Sequence, residues 1–166
     1  MTPARKLLIF GGTVLAVLGM VYGLHYAVFV EHQTLHRMGG SLAGAFVNAA
    51  EQHWDDSQSA LTAYRETKYD YVRQVDVHSH WIGLAMLMIV LGVVFDEVAF
   101  SARARWIIAL ALLAGSVVFP LGVIVQTVRT APQMAMLGSA LAIVGSALVI
   151  VALGAIAVGF MRGEAT

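Results

Sequence analysis

The chain has no cysteine among its 166 residues. Disulfides, thiolate metal sites, iron–sulfur clusters and covalently attached c-type haem are therefore excluded. Charge is scarce as well. Asp, Glu, Lys and Arg make up 12% of the residues, against roughly 25% in soluble domains. Basic and acidic residues cancel to a net charge of zero, so there is no electrostatic case for a nucleic-acid partner. The motifs of several enzyme classes are missing: no Gly-rich phosphate loop, no G-x-S-x-G and no H-E-x-x-H. The apolar runs contain no paired carboxylates, which argues against a transporter or proton pump, where such groups sit at mid-membrane.

What the chain has instead is apolar length. Hydrophobic residues make up 59%. Four uncharged runs reach the roughly 18 residues that a membrane helix needs: residues 7–30, 78–95, 106–128 and 134–161, the last preceded by Pro132. Asp96 and Glu97 close the second. The first follows Arg5 and Lys6, as a signal peptide would. Its run is longer than a signal-peptide core and no convincing A-x-A site lies at its end, so it reads as an uncleaved helix. The expected fold is an all-α membrane protein: one integral membrane domain over residues 1–166, with four transmembrane helices in an up-down bundle. A helical outer loop, 31–77, joins helices 1 and 2.

Arg5, Lys6, Arg103, Arg105 and Arg162 would lie on one side of such a bundle, and Arg37, Arg65, Lys68, Arg73 and Arg129 on the other. The first set lies close to span ends, where cations weigh most in orientation. Both termini are therefore expected in the cytoplasm, and the membrane is expected to be a bacterial inner membrane.

In the outer loop, Gly39-Gly40 is expected to break the first helix and Ser41 to cap a new one. Leu42, Ala45, Phe46, Ala49 and His53 follow helical spacing. Asp55-Asp56-Ser57 marks an interruption, and Ala60, Leu61, Tyr64 and Tyr71 continue on a helix that runs into the second span. Trp54, Tyr64, Tyr69, Tyr71 and Trp81 are aromatics of the interfacial kind. Pro120 is expected to kink the third span. Gly138, Ser139, Gly145, Ser146, Gly154 and Gly159 give the fourth a small-residue character suited to close helix packing or to a partner subunit.

Five of the six histidines gather where the first span ends and the second begins. Along one uninterrupted α-helix, seven steps of about 100° fall roughly 20° short of two turns and eleven overshoot three turns by roughly 20°. His25, His32 and His36 would then share one stripe. His25 lies inside the apolar run beside Tyr22 and Tyr26; an ionisable residue there suggests function, the plainer alternative being a neutral imidazole bonded to a neighbouring helix. His32 and His36, at i and i+4, can reach one metal ion, or can simply be solvated. His78 and His80 point nearly opposite ways on a helix. His80 is preferred as the inward one, because Gly83 one turn on leaves room for a flat macrocycle, whereas Ile82, Ala85 and Ile89 follow His78. His53 is expected to be a partly buried core residue.

Two histidines at similar depth on adjacent spans are what a b-type haem requires as axial ligands. His25 with His80 or His78 is the expected pair. The expected function is a membrane electron-transfer subunit that relays electrons between a quinone and an outer-side redox partner. A copper or zinc site is the first alternative, with His32 and His36 as ligands and a third from His78, His80 or His53. A non-redox accessory subunit of a larger membrane complex is the second. Membrane lipid is the common partner in all three.

Overall fold

The computed structural model describes residues 1–128 and 132–163; Arg129 and Thr130 lie outside them. Among the described residues the chain is almost wholly helical, with no strand. The elements are α1 (Pro3–His25), a π-helical stretch (Tyr26–Glu31), α2 (His32–Ala50), α3 (Trp54–Val94), a 3₁₀ turn (Phe95–Glu97), α4 (Ala102–Gln126) and α5 (Pro132–Gly163). Four helices are long and apolar enough to cross a membrane. Their outward faces carry Phe10, Val17, Met86, Ile107, Ile143 and Val151, all more than half exposed. Such faces suit lipid and not water.

The chain divides into two compact units, Val21–Asp76 and Met1–Met20 with Val77–Thr166. In the larger unit the helices approach through glycine. A Cβ at Gly12 would meet the backbone of Ala85, and one at Gly92 would meet Ile9, so the first part of α1 runs antiparallel to the last part of α3. Leu8 and Leu15 of α1 and Ala85 and Met88 of α3 are buried. A Cβ at Gly145 would fall on Phe119, and one at Gly115 within 2.7 Å of the Gly145 carbonyl, so α4 and α5 are antiparallel and in backbone contact. The small residues of α5 thus divide by face. Gly138, Gly145 and Gly159 are buried; Ser139 and Gly154 are exposed. The helix α4 continues through Pro120, which is buried.

One end of this unit is organised by Asp96. Its carboxylate accepts from the Thr2 hydroxyl at 2.5 Å and from Arg5 Nη1 at 3.4 Å, while Arg105 Nη1 donates to its backbone carbonyl at 3.0 Å. Ser101 caps α4 by accepting from Ala104 N–H. Ala99 N–H donates to the Gly159 carbonyl, and Arg162 sits over the Phe100 ring. Arg5, Arg105 and Arg162, grouped on one side in the sequence, meet around one turn. The Thr2 hydroxyl, and then Arg5, hold the Asp96 carboxyl below its ordinary 3.8. The folded chain therefore binds fewer protons here than the unfolded chain. The stabilisation is complete above 3.8 and disappears as pH falls through the depressed folded value. Acid unfolding followed by circular dichroism should begin at higher pH in Thr2→Ala than in the wild type; coincident curves would exclude the linkage.

In the smaller unit, α2 and the first part of α3 form an antiparallel pair. The Ser57 hydroxyl donates to the Ala45 carbonyl at 2.9 Å, and Tyr71 OH donates to Glu31 Oε1 at 3.1 Å. Several sequence expectations fail here. Gly39-Gly40 does not break the helix and Ser41 does not cap one; α2 runs through all three. Both glycines keep negative φ, and no neighbour comes within 4 Å of where their Cβ atoms would be. Each costs about 1 kcal/mol relative to alanine, and the buried Thr34 and Ala45 on either side hold the helix against that cost. The chain turns instead at 51–53, where Gln52 takes a left-handed φ of 63°. Asp55 and Asp56 fall in the first turn of α3, where the helix dipole favours them. As expected, α3 continues into the second apolar run. His53 is exposed, not a core residue, and pairs with Glu51 at 3.5 Å. Phe46, assigned to the apolar stripe, is 69% exposed.

Candidate functional site: a polar cleft and a preset histidine

The π-helical stretch Tyr26–Glu31 alters the register on which the histidine stripe depended. A π turn accommodates one extra residue, so everything after it is rotated back by roughly 100° relative to a continuous α-helix. His32 and His36 then leave the line of His25. By the same arithmetic, Thr34 aligns with Tyr22, and Arg37 with His25.

The side chains follow this arithmetic. Tyr22, His25, Tyr26, Val30, Thr34 and Arg37 line one wall of a cleft of about 290 Å³, and Thr67, Asp70, Tyr71 and Gln74 of α3 line the other. Tyr26 and Tyr71 face each other with ring centroids 6.3 Å apart. Thr34, only 4% exposed, donates its hydroxyl proton to the Val30 carbonyl at 3.0 Å and accepts from Arg37 Nη2 at 3.4 Å. The Glu31 carboxylate raises the Tyr71 phenol pKa above 10.0 through its hydrogen bond, so Tyr71 is a donor at neutral pH. His25 stacks on Phe29 at 5.5 Å.

His32 and His36 lie on another face, with Gln33 and Arg37, around a shallow depression. Among the described residues, no three His, Asp or Glu side chains form a group that could hold a metal ion.

His78 and His80 belong to the larger unit, with different neighbours. His78 Nδ1 lies 2.9 Å from the Gly19 carbonyl oxygen. A carbonyl can only accept, so Nδ1 carries a proton and donates; in the neutral ring Nε2 is then the nitrogen with the lone pair. Ile82 packs on Gly19, Ile89 on Gly12, and Ala85 is fully buried, so the His78 face of α3 is the one that meets α1. His80 is exposed and its ring lies 4.7 Å from that of Phe119 on α4. Gly83, chosen as the space below His80, has nothing within 4 Å of its Cβ position.

Sequence reasoning passed over Thr34, Arg37, Asp70 and Gln74. Each is an ordinary polar residue in its own stretch, and the available signal was the i, i+4 line Tyr22, Tyr26, Val30, Thr34, which the α-helical period disperses.

The fold thus defines a helical protein with four helices long and apolar enough to cross a membrane. No protein-family model, curated protein or solved structure matches the chain.

Proposed function

We propose that the chain is a membrane electron-transfer subunit carrying a b-type haem, with four spans in an up-down bundle. Both termini face the cytoplasm, residues 31–77 lie outside, and the membrane is a bacterial inner membrane. The chain serves electron transfer between a quinone and an outer-side redox partner. His78 would be the first residue to hold the haem. His25 enters as the second from the sequence alone, as the ionisable residue inside the first apolar run.

The observation that supports this reading is the hydrogen bond from His78 Nδ1 to the Gly19 carbonyl. Ligating histidines almost always donate the other ring N–H to a carbonyl or carboxylate, which sets the tautomer and makes the free nitrogen more basic. His78 therefore takes the place of His80 as the preferred ligand. Bound haem would supply one-electron chemistry; the protein supplies the ligands, an apolar surround and position.

Optical spectra of the intact complex, purified from haem-replete cells, test the assignment. Oxidised and dithionite-reduced samples should show a six-coordinate haem with sharp reduced bands and about one haem per chain. A colourless preparation overturns the proposal. Copper or zinc in that sample would then support the metal alternative, and its absence the accessory-subunit one.

A further inference from the structure

The cleft of the Val21–Asp76 unit is more elaborate than helix packing requires. Its volume, about 290 Å³, lies at the small end of ligand pockets, which run from roughly 300 Å³ upward. That admits one substituted six-membered ring.

Its chemistry narrows the class of ring. The walls carry three phenols, from Tyr22, Tyr26 and Tyr71. Arg37 supplies a cation on one wall and Asp70 a carboxylate on the other. An anionic head group such as phosphate would be met by the carboxylate, and a cationic one by the guanidinium. A neutral ring with oxygens at both ends meets donors at one edge and donors or acceptors at the other. Aromatic walls favour a flat ring, since aromatic pairs gain beyond their area of contact.

The depth of the cleft narrows the class further. Tyr22, His25 and Tyr26 lie within the first apolar run, whereas Thr34 and Arg37 lie beyond its end. The cleft therefore straddles the level at which lipid gives way to water. A ligand there has a polar ring in the cleft and an apolar tail beside the helix. We propose that the cleft between the Tyr22–Arg37 helical stretch and Thr67–Gln74 binds the ring of a lipid-soluble quinone or quinol. Arg37 and the Gln74 amide donate to its oxygens, Asp70 accepts from a hydroxyl of the reduced ring, and the tyrosines lie on its faces. This rests on the electron-transfer reading for its purpose, since it places the ring against His25, but not for its binding chemistry.

The test is equilibrium binding of a decyl-substituted benzoquinone to the detergent-solubilised full chain, by isothermal titration, with decanol as the tail-only control. Saturable binding of one quinone per chain, absent with decanol, is expected. Arg37→Gln, which removes a charged donor, should weaken it about tenfold, the size of one charge-assisted hydrogen bond, and Asp70→Asn, which puts an N–H donor in place of an acceptor-only carboxylate, should tighten it. His53→Ala, exposed and outside the cleft, should leave it unchanged. Circular dichroism confirms that each variant is folded; if one cleft variant fails to fold, the other decides. Absence of saturable binding, equal binding of decanol, or wild-type affinity in the folded cleft variants overturns the proposal. So does displacement of the quinone by short-chain phosphatidylglycerol at stoichiometric concentration, which would identify a phospholipid site. The haem spectrum is read separately. A chain with haem that binds no quinone removes this proposal alone. A colourless chain that binds quinone removes the haem and keeps the cleft.

Discussion

Gly122→Val is expected to destabilise the chain by about 3 kcal/mol or more, the top of the range for overpacked cores. Gly122 lies where α4 crosses α5. A Cβ there would fall on the backbone nitrogen of Ala142 and within 2.8 Å of the Gly138 carbonyl. Both are backbone atoms of a continuous helix and cannot rotate away. The contact is reciprocal: a Cβ at Gly138 would come within 2.7 Å of Gln126 N and 2.8 Å of the Gly122 carbonyl. Valine therefore has to push the helices apart along the whole crossing. In lipid no hydrophobic force pulls them back, because the tails are as apolar as the side chains, and association depends on close van der Waals packing. Two comparisons calibrate the result. Gly11→Ala meets the end of the Leu113 side chain at 2.8 Å, which can shift, and should cost less. Gly154→Ala has nothing within 4 Å and should be neutral or stabilise by up to about 1 kcal/mol. Unfolding in one detergent, with increasing SDS and followed by circular dichroism, measures all three. Equal midpoints for Gly122→Val and Gly154→Ala would show that the crossing does not hold the fold.

The largest functional effect is expected from His78→Ala, with haem content falling at least about tenfold, since loss even of a ligand's supporting group can cost that much. The change also removes the hydrogen bond to the Gly19 carbonyl. That costs about 1 kcal/mol, a fraction of the roughly 5–15 kcal/mol that holds a domain folded. Colour should therefore disappear while helicity remains, which separates loss of a ligand from unfolding. His80→Ala should keep its haem, because that ring is exposed against Phe119, and His53→Ala should be indistinguishable from the wild type. A full complement of haem in His78→Ala, or its loss in His80→Ala, would remove His78 from the assignment.

The apolar runs were legible because membrane helices are specified by length and composition, which need no knowledge of neighbours. Asp96 shows the limit of that kind of reading. In the sequence it ends a span; in the structure it joins Thr2, Arg5 and Arg105, residues up to 94 positions away. The histidine stripe failed for a local reason. A π turn changes the period at Tyr26–Glu31, and nothing in YAVFVE announces it, since apolar residues suit either turn. Gly39-Gly40 misled because glycine permits a break without requiring one, and the packing of α2 against α3 decided for the helix.

By itself the sequence determined that this protein is helical, that four of its stretches can cross a membrane, and that histidine is the main ionisable residue near them. Those are properties of residue type and run length. Only the tertiary structure decided that His78 and not His80 meets the Gly19 carbonyl, that Thr34 and Arg37 displace His32 and His36 from the face of His25, and that Asp70 and Gln74 face them. These depend on helix rotation, and on a helix one residue more or less in a turn moves a side chain by about 100°, far more than a pattern of polar and apolar residues resolves.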